Sequence, residues 1–171
     1  MKNKIAWFVL PLFIIVSIVA NSCKKNDTGL IKTLFTGGTW QLASVMVFNY
    51  VGSSLMSTDT LNTDCEKTQF FTFYSNNTCN YKNFHCFDQS TNGSWSLTHD
   101  ELFLMVTMSV KDTIAGGAIS QGNPFGYTKI KNLGQYSMVL QTGDISAYAT
   151  PGKKRQIIEY GFVRQKSESG K

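Results

Sequence analysis

Eight short runs rich in β-branched and aromatic residues, each bounded by turn residues, constrain this chain most. They are GTWQLASVMVFNY (38–50), TQFFTFY (68–74), TCNYKNF (78–84), GSWSLT (93–98), ELFLMVTMSV (101–110), GYTKIKNL (126–133), QYSMVLQT (135–142) and QIIEYGFVRQ (156–165). Val, Ile, Thr and aromatic side chains suit a pleated, half-buried surface, and short strands at such spacing imply an antiparallel barrel or sandwich. Ser75–Asn77 reads as a hairpin turn because Asn tolerates positive φ, and His99-Asp100 reads as another. The single helical candidate is TGLIKTLF (28–35), whose Leu30, Ile31, Leu34 and Phe35 can close one end of a barrel. The Gly-rich segment KDTIAGGAISQGNPF (111–125) reads as a mobile loop. No internal repeat or second domain is visible.

The first 22 residues have a different character. Lys2 and Lys4 precede an uncharged apolar block from Ile5 to Ala20, the layout of a secretory signal and short for a spanning helix. Ala20 and Ser22 then lead into Cys23, which resembles the lipobox of bacterial lipoprotein signals, with Asn21 as a departure from the usual small or apolar residue. That resemblance implies cleavage before Cys23 and acylation of its thiol, with a serine before the cysteine suiting the Bacteroidota type. More than one acyl chain anchors stably, since each buried CH₂ adds roughly 0.8 kcal/mol. The polar KKNDTG that follows suits a tether. Its lack of the acidic pair found in surface-exported lipoproteins favours an outer-membrane position facing the periplasm, with the cell surface as the alternative.

Two of the 16 basic residues leave with the signal, so 14 face 11 acidic ones in the mature chain. They are scattered, except for Lys153–Arg155, which reads as a solvated turn; nothing resembles a nucleic-acid-binding stripe. No Gly-x-Ser-x-Gly elbow, His-Glu-x-x-His motif or phosphate-cradling loop is present. The only histidines are His85 and His99, and the carboxylate pairs Asp64/Glu66 and Asp100/Glu101 read as solvated. No catalytic residue and no cofactor is assigned. Cys79, His85 and Cys86 fit none of the common zinc spacings, so no metal site is assigned either.

Four stretches, GGTWQLASV (37–45), DCEKTQFFTFYSNNT (64–78), NGSWSL (92–97) and EYGFVRQK (159–166), resemble the lipocalin-like domains of Bacteroidota lipoproteins. The resemblance implies an all-β fold: an antiparallel up-and-down eight-stranded lipocalin-like barrel over 36–166, with a short N-terminal helix. The chain then divides into a signal peptide (1–22), a lipidated tether and helix (23–35), the barrel, and a flexible tail (167–171). It further implies that Gly38 and Trp40 open the barrel and that Arg164 packs over Trp40 at its base. Such a cation–π contact adds about 0.5–2 kcal/mol.

With Cys23 acylated, Cys65, Cys79 and Cys86 remain. A turn at Ser75–Asn77 pairs residues whose numbers sum to about 151–153. Cys79 therefore faces a residue near Tyr74, roughly 30 Å along the strand from Cys65. Cys79 and Cys86 lie roughly 23 Å apart on one strand. Cys65 and Cys86 meet across the open end of the hairpin, and only they satisfy the roughly 5–6 Å Cα spacing of a disulfide. A Cys65–Cys86 bridge with Cys79 as a small core thiol is expected.

Three functions compete. The favoured one is a membrane-anchored lipoprotein holding a small apolar molecule in the barrel cup, with Phe71, Phe73, Trp95, Phe103 and Glu159 as candidate ligand contacts; Glu159, if turned inward, would pair with Lys129 or Lys131. The alternative is a filled barrel acting as a non-catalytic interaction module for an envelope protein partner. An enzyme has no constellation behind it. Asp59-Thr60-Leu61 and Asp112-Thr113-Ile114 match the Asp-Thr-apolar pattern of Bacteroidota O-glycosylation, giving Thr60 and Thr113 as candidate modification sites beside loops.

Overall fold

The computed structural model describes residues 28–165 except 62, 114–116 and 146–148. The signal peptide, Cys23 with residues 24–27 of its tether, and the tail lie outside the described residues.

Helix α1 (Thr28–Thr36) leads into β1 (Thr39–Val51) and β2 (Ser54–Leu61). There follow β3 (Phe70–Phe73), β4 (Thr78–Lys82), a 3₁₀ turn (Phe84–Cys86), β5 (Ser90–Leu97) and β6 (Phe103–Thr107). The chain ends with β7 (Val110–Thr113), β8 (Ile119–Gly122), β9 (Thr128–Leu133), β10 (Ser137–Gly143) and β11 (Lys154–Arg164). Strands β1, β3, β4, β5, β6, β9, β10 and β11 pair in that order, and β11 returns to β1. Every pairing is antiparallel. This is the closed eight-stranded up-and-down barrel expected from the sequence, and each of the eight runs supplies one strand. Closure removes the unpaired edges that invite aggregation.

Alternation along each strand fills the inside. Leu104 and Val106 of β6 point inward while Met105 points out, and Tyr160 and Phe162 of β11 do the same around Gly161. Side-chain volume at the β1–β11 seam sets one glycine: a Cβ at Gly161 collides with the Ser44 hydroxyl, where β1 bulges between Leu42 and Ser44. At the far end of β10, Gly143 takes φ +85°, the left-handed region that glycine tolerates best.

Three parts differ from the sequence reading. The first is β2, a ninth strand that pairs only with the upper half of β1 and is exposed along its whole length. The second is the segment 111–125: β7 and β8 form a two-stranded hairpin, and Val110 and Phe125 at its flanks are buried core residues. Their apolar contacts hold the ends of this segment, so glycine content alone misread it. The third is the Lys153–Arg155 run. Arg155 lies in β11 with its guanidinium 4.8 Å from the Tyr50 ring centroid and donates to the Gly52 carbonyl.

Candidate functional site

The two barrel ends are built differently. At the base, Trp40 is fully buried and donates from Nε1 to the Phe35 carbonyl at 2.9 Å. Arg164 lies over the same ring, 4.5 Å from its centroid, and donates to the Leu34 carbonyl. Two orphan carbonyls at the C-terminal end of α1 thereby gain partners. Gly37 and Gly38 make room: an added Cβ meets the Arg164 side chain at 2.8 Å and 3.3 Å respectively. Phe35 plugs the base, its ring 4.9 Å from Phe73 and 5.5 Å from Trp95. The sequence-predicted closure by Gly38, Trp40 and Arg164 is the arrangement found.

The interior is occupied by protein. Phe71 and Phe73 point inward at 4.1 Å centroid separation, and Phe71 also meets Tyr81, Phe125 and Phe162. Trp95 packs on Phe73 at 5.5 Å and donates from Nε1 to the Tyr74 carbonyl. These three candidate contacts are inside the barrel, as positions lining a cup would be, but their faces are covered by one another. Cys79 is a buried free thiol of the same cluster; burial pushes its pKa up to about 11. Burial likewise raises Tyr81 and Tyr160, the latter also through the charge of Asp112.

Two candidate contacts lie on the outer wall, correcting the sequence reading. Phe103 stacks on exposed Tyr127 at 4.7 Å, because β6 turns Leu104 and Val106 inward instead. Glu159 faces outward between Tyr160 and Ile158. It accepts from Lys131 Nζ at 2.5 Å and Gln141 Nε2 at 2.7 Å, and its side chain is only 12% exposed. It pairs with Lys131 as one of the expected partners, but outside the cup. Thr60 is exposed one residue before the end of β2, and exposed Thr113 ends β7, so both stand at strand ends beside connecting segments.

The mouth holds the polar chemistry. Cys65 and Cys86 are joined in the expected disulfide, with Cα atoms 5.3 Å apart. Gln69, buried at the approach to β3, ties both sides together. Its Oε1 accepts from the His85 backbone N–H at 3.0 Å, and its Nε2 contacts the Cys65 sulfur at 3.3 Å. His85 takes φ +47°, a left-handed conformation uncommon outside glycine. That backbone stacks its ring on Phe84 and brings Nδ1 into a hydrogen bond with Asp112 of β7. Among the described residues, His85 Nε2 has no hydrogen-bond partner. Beside it lies a pocket of about 250 Å³ lined by Val45, Leu61, Thr63, Gln69, His85, Cys86 and Thr113.

A larger groove of about 510 Å³ runs between the β1–β2 flap and the start of β11. Two of its polar wall residues are tied to each other and to β2: Gln156 donates to Asn49, which donates to Ser57 and Asp59. The smaller mouth pocket is taken as the candidate site, because it brings an imidazole and two aliphatic side chains together. Gln69, His85 and Asp112 were not assigned as a site by sequence reasoning. The one local signal was a glutamine at the head of an otherwise apolar run, TQFFTF.

Compared with known families, residues 37–140 match the lipocalin-like domain. The chain belongs to the lipocalin-like domain family. The match opens at the glycine pair under Arg164 and runs into β10, covering six of the eight barrel strands and part of a seventh. No curated protein matches the chain. This lipocalin-like domain has the fold of a ligand-binding type, with its base sealed and its polar groups gathered at the mouth. Among its described residues no helix is long and apolar enough to cross a membrane, and no group of His, Cys, Asp and Glu is placed to hold a metal ion.

Proposed function

We propose that this chain is an envelope lipoprotein of the Bacteroidota type, acylated at Cys23, whose lipocalin-like domain binds a small molecule at the barrel mouth. The role is non-catalytic, and the protein sits on the outer membrane facing the periplasm. The observation that carries the reading is the pocket that gathers His85, whose Nδ1 is engaged by Asp112, with the aliphatic residues Val45 and Leu61. A ligand with an apolar body and one hydrogen-bonding end matches that surface. The dense aromatic interior supports this placement over one inside the barrel.

Native mass spectrometry of the mature protein, extracted gently from its own membrane, tests both parts. Acylation of Cys23 together with a small molecule lost from a His85→Ala variant supports the reading. An acylated chain without any small molecule, in parent and variant alike, removes the ligand. A second reading, docking on an envelope protein, is favoured by β2, an exposed strand carrying Leu55, Met56 and Leu61.

A further inference from the structure

The apolar groups on the base are arranged as a rim. Helix α1 contributes Leu30, and each base connection between barrel strands contributes one large side chain: Tyr74 between β3 and β4, Leu102 between β5 and β6, and Tyr136 between β9 and β10. All four are between 47% and 64% exposed. Three separate strand connections and the helix thus present an apolar or amphipathic tip on one end of the molecule.

Covalent geometry says what meets that end. Thr28 begins α1, which packs on the base of β3 and β9 and whose Lys32 bonds Asn77 in the β3–β4 turn. Five residue steps separate Thr28 from Cys23, a reach of at most about 18 Å whatever their conformation. The eleven residues of β11, tilted as barrel strands are, carry the mouth roughly 25–30 Å from the base. A lipid on Cys23 therefore holds the base near the bilayer and leaves the mouth away from it.

We propose that the rim of Leu30, Tyr74, Leu102 and Tyr136 rests in the lipid headgroup region, so that the barrel stands base-down on the membrane with its mouth facing the aqueous side. The inference rests on acylation of Cys23. Tyrosine suits that depth because its ring is apolar and its hydroxyl stays wet. The charges on this end are mixed: Lys32 on α1, and Asp100 and Glu101 beside Leu102. Asp100 is held ionised by the Thr98 hydroxyl and the Leu102 N–H. The contact is accordingly apolar in character, needing neither anionic lipid nor low salt.

Mature acylated protein, processed from the full-length precursor, is reconstituted in phosphatidylcholine vesicles containing brominated phosphatidylcholine. Tyr136→Trp and Leu102→Trp place an indole on the rim, and Ile119→Trp places one on the exposed mouth hairpin; Trp40 and Trp95 are buried and give a constant background. Several-fold stronger bromine quenching at the two rim positions than at 119, unchanged by salt, is expected. Equal or absent quenching in a chain whose mass shows the acyl group overturns the base-down orientation and leaves the anchor standing. A mass without the acyl group overturns both.

Discussion

Arg164 and Trp40 act as one unit at the base, and a lysine at 164 separates charge from shape. It keeps the positive charge but loses the planar fork that lies on the indole while reaching the Leu34 carbonyl. Arg164→Lys is expected to cost about 1–2 kcal/mol and Trp40→Ala about 3–5 kcal/mol, both read from urea midpoints. Cys79 makes a different prediction. Folding raises its pKa to about 11, so above pH 9 the unfolded chain loses this proton while the folded chain keeps it. Stability is therefore complete below pH 9 and falls as pH rises towards 11, with Tyr81 and Tyr160 acting in the same direction. Unfolding midpoints at pH 8, 9 and 10 should decline, less steeply in Cys79→Ala, and the native thiol should resist alkylation until the chain unfolds. The cysteine pair was readable in the sequence because hairpin register brings it together, and the resemblance to lipocalin-like domains implied the Trp40–Arg164 contact. Glu159 was ambiguous because period-two alternation gives two faces without naming the inner one. His85 and Asp112 were hidden because a left-handed backbone and a separate hairpin unite them.

The elements at the mouth depend on the Cys65–Cys86 bridge, which joins the segment before β3 to the 3₁₀ turn after β4. Closing a 21-residue separation should contribute roughly 3 kcal/mol. Replacing both cysteines by serine is expected to lower stability by about that amount. Because Gln69 and His85 sit beside the bridge, hydrogen exchange should rise first around 65–69 and 84–89, leaving the base strands protected. The eight barrel strands were legible because each has one buried face. Strand β2 has none, so SLMSTDTL carried no alternation to read, and only hydrogen bonding to β1 makes it a strand. The hairpin β7–β8 was concealed by its glycines, while Phe125, placed after Pro124, gave no periodic signal although it sits at the centre of the aromatic cluster.

The whole molecule is a closed ring whose last strand must find its first, more than a hundred residues away in sequence. Long-range closure of this kind predicts refolding in roughly milliseconds to seconds, as in other β-barrels. The filled interior makes a further prediction about capacity. Phe71→Ala should cost about 3–5 kcal/mol and open an apolar void that takes up xenon or benzene, which the parent protein excludes. Binding of such probes by the unaltered protein would contradict a packed core. The even number of barrel strands also has a consequence for anyone wishing to decorate this protein. Entry at Thr39 and exit at Gln165 are hydrogen-bonded neighbours on one rim. A fluorescent or affinity module joined after Gln165 thus starts beside the tether, whereas a guest sequence spliced between β7 and β8 starts at the opposite pole.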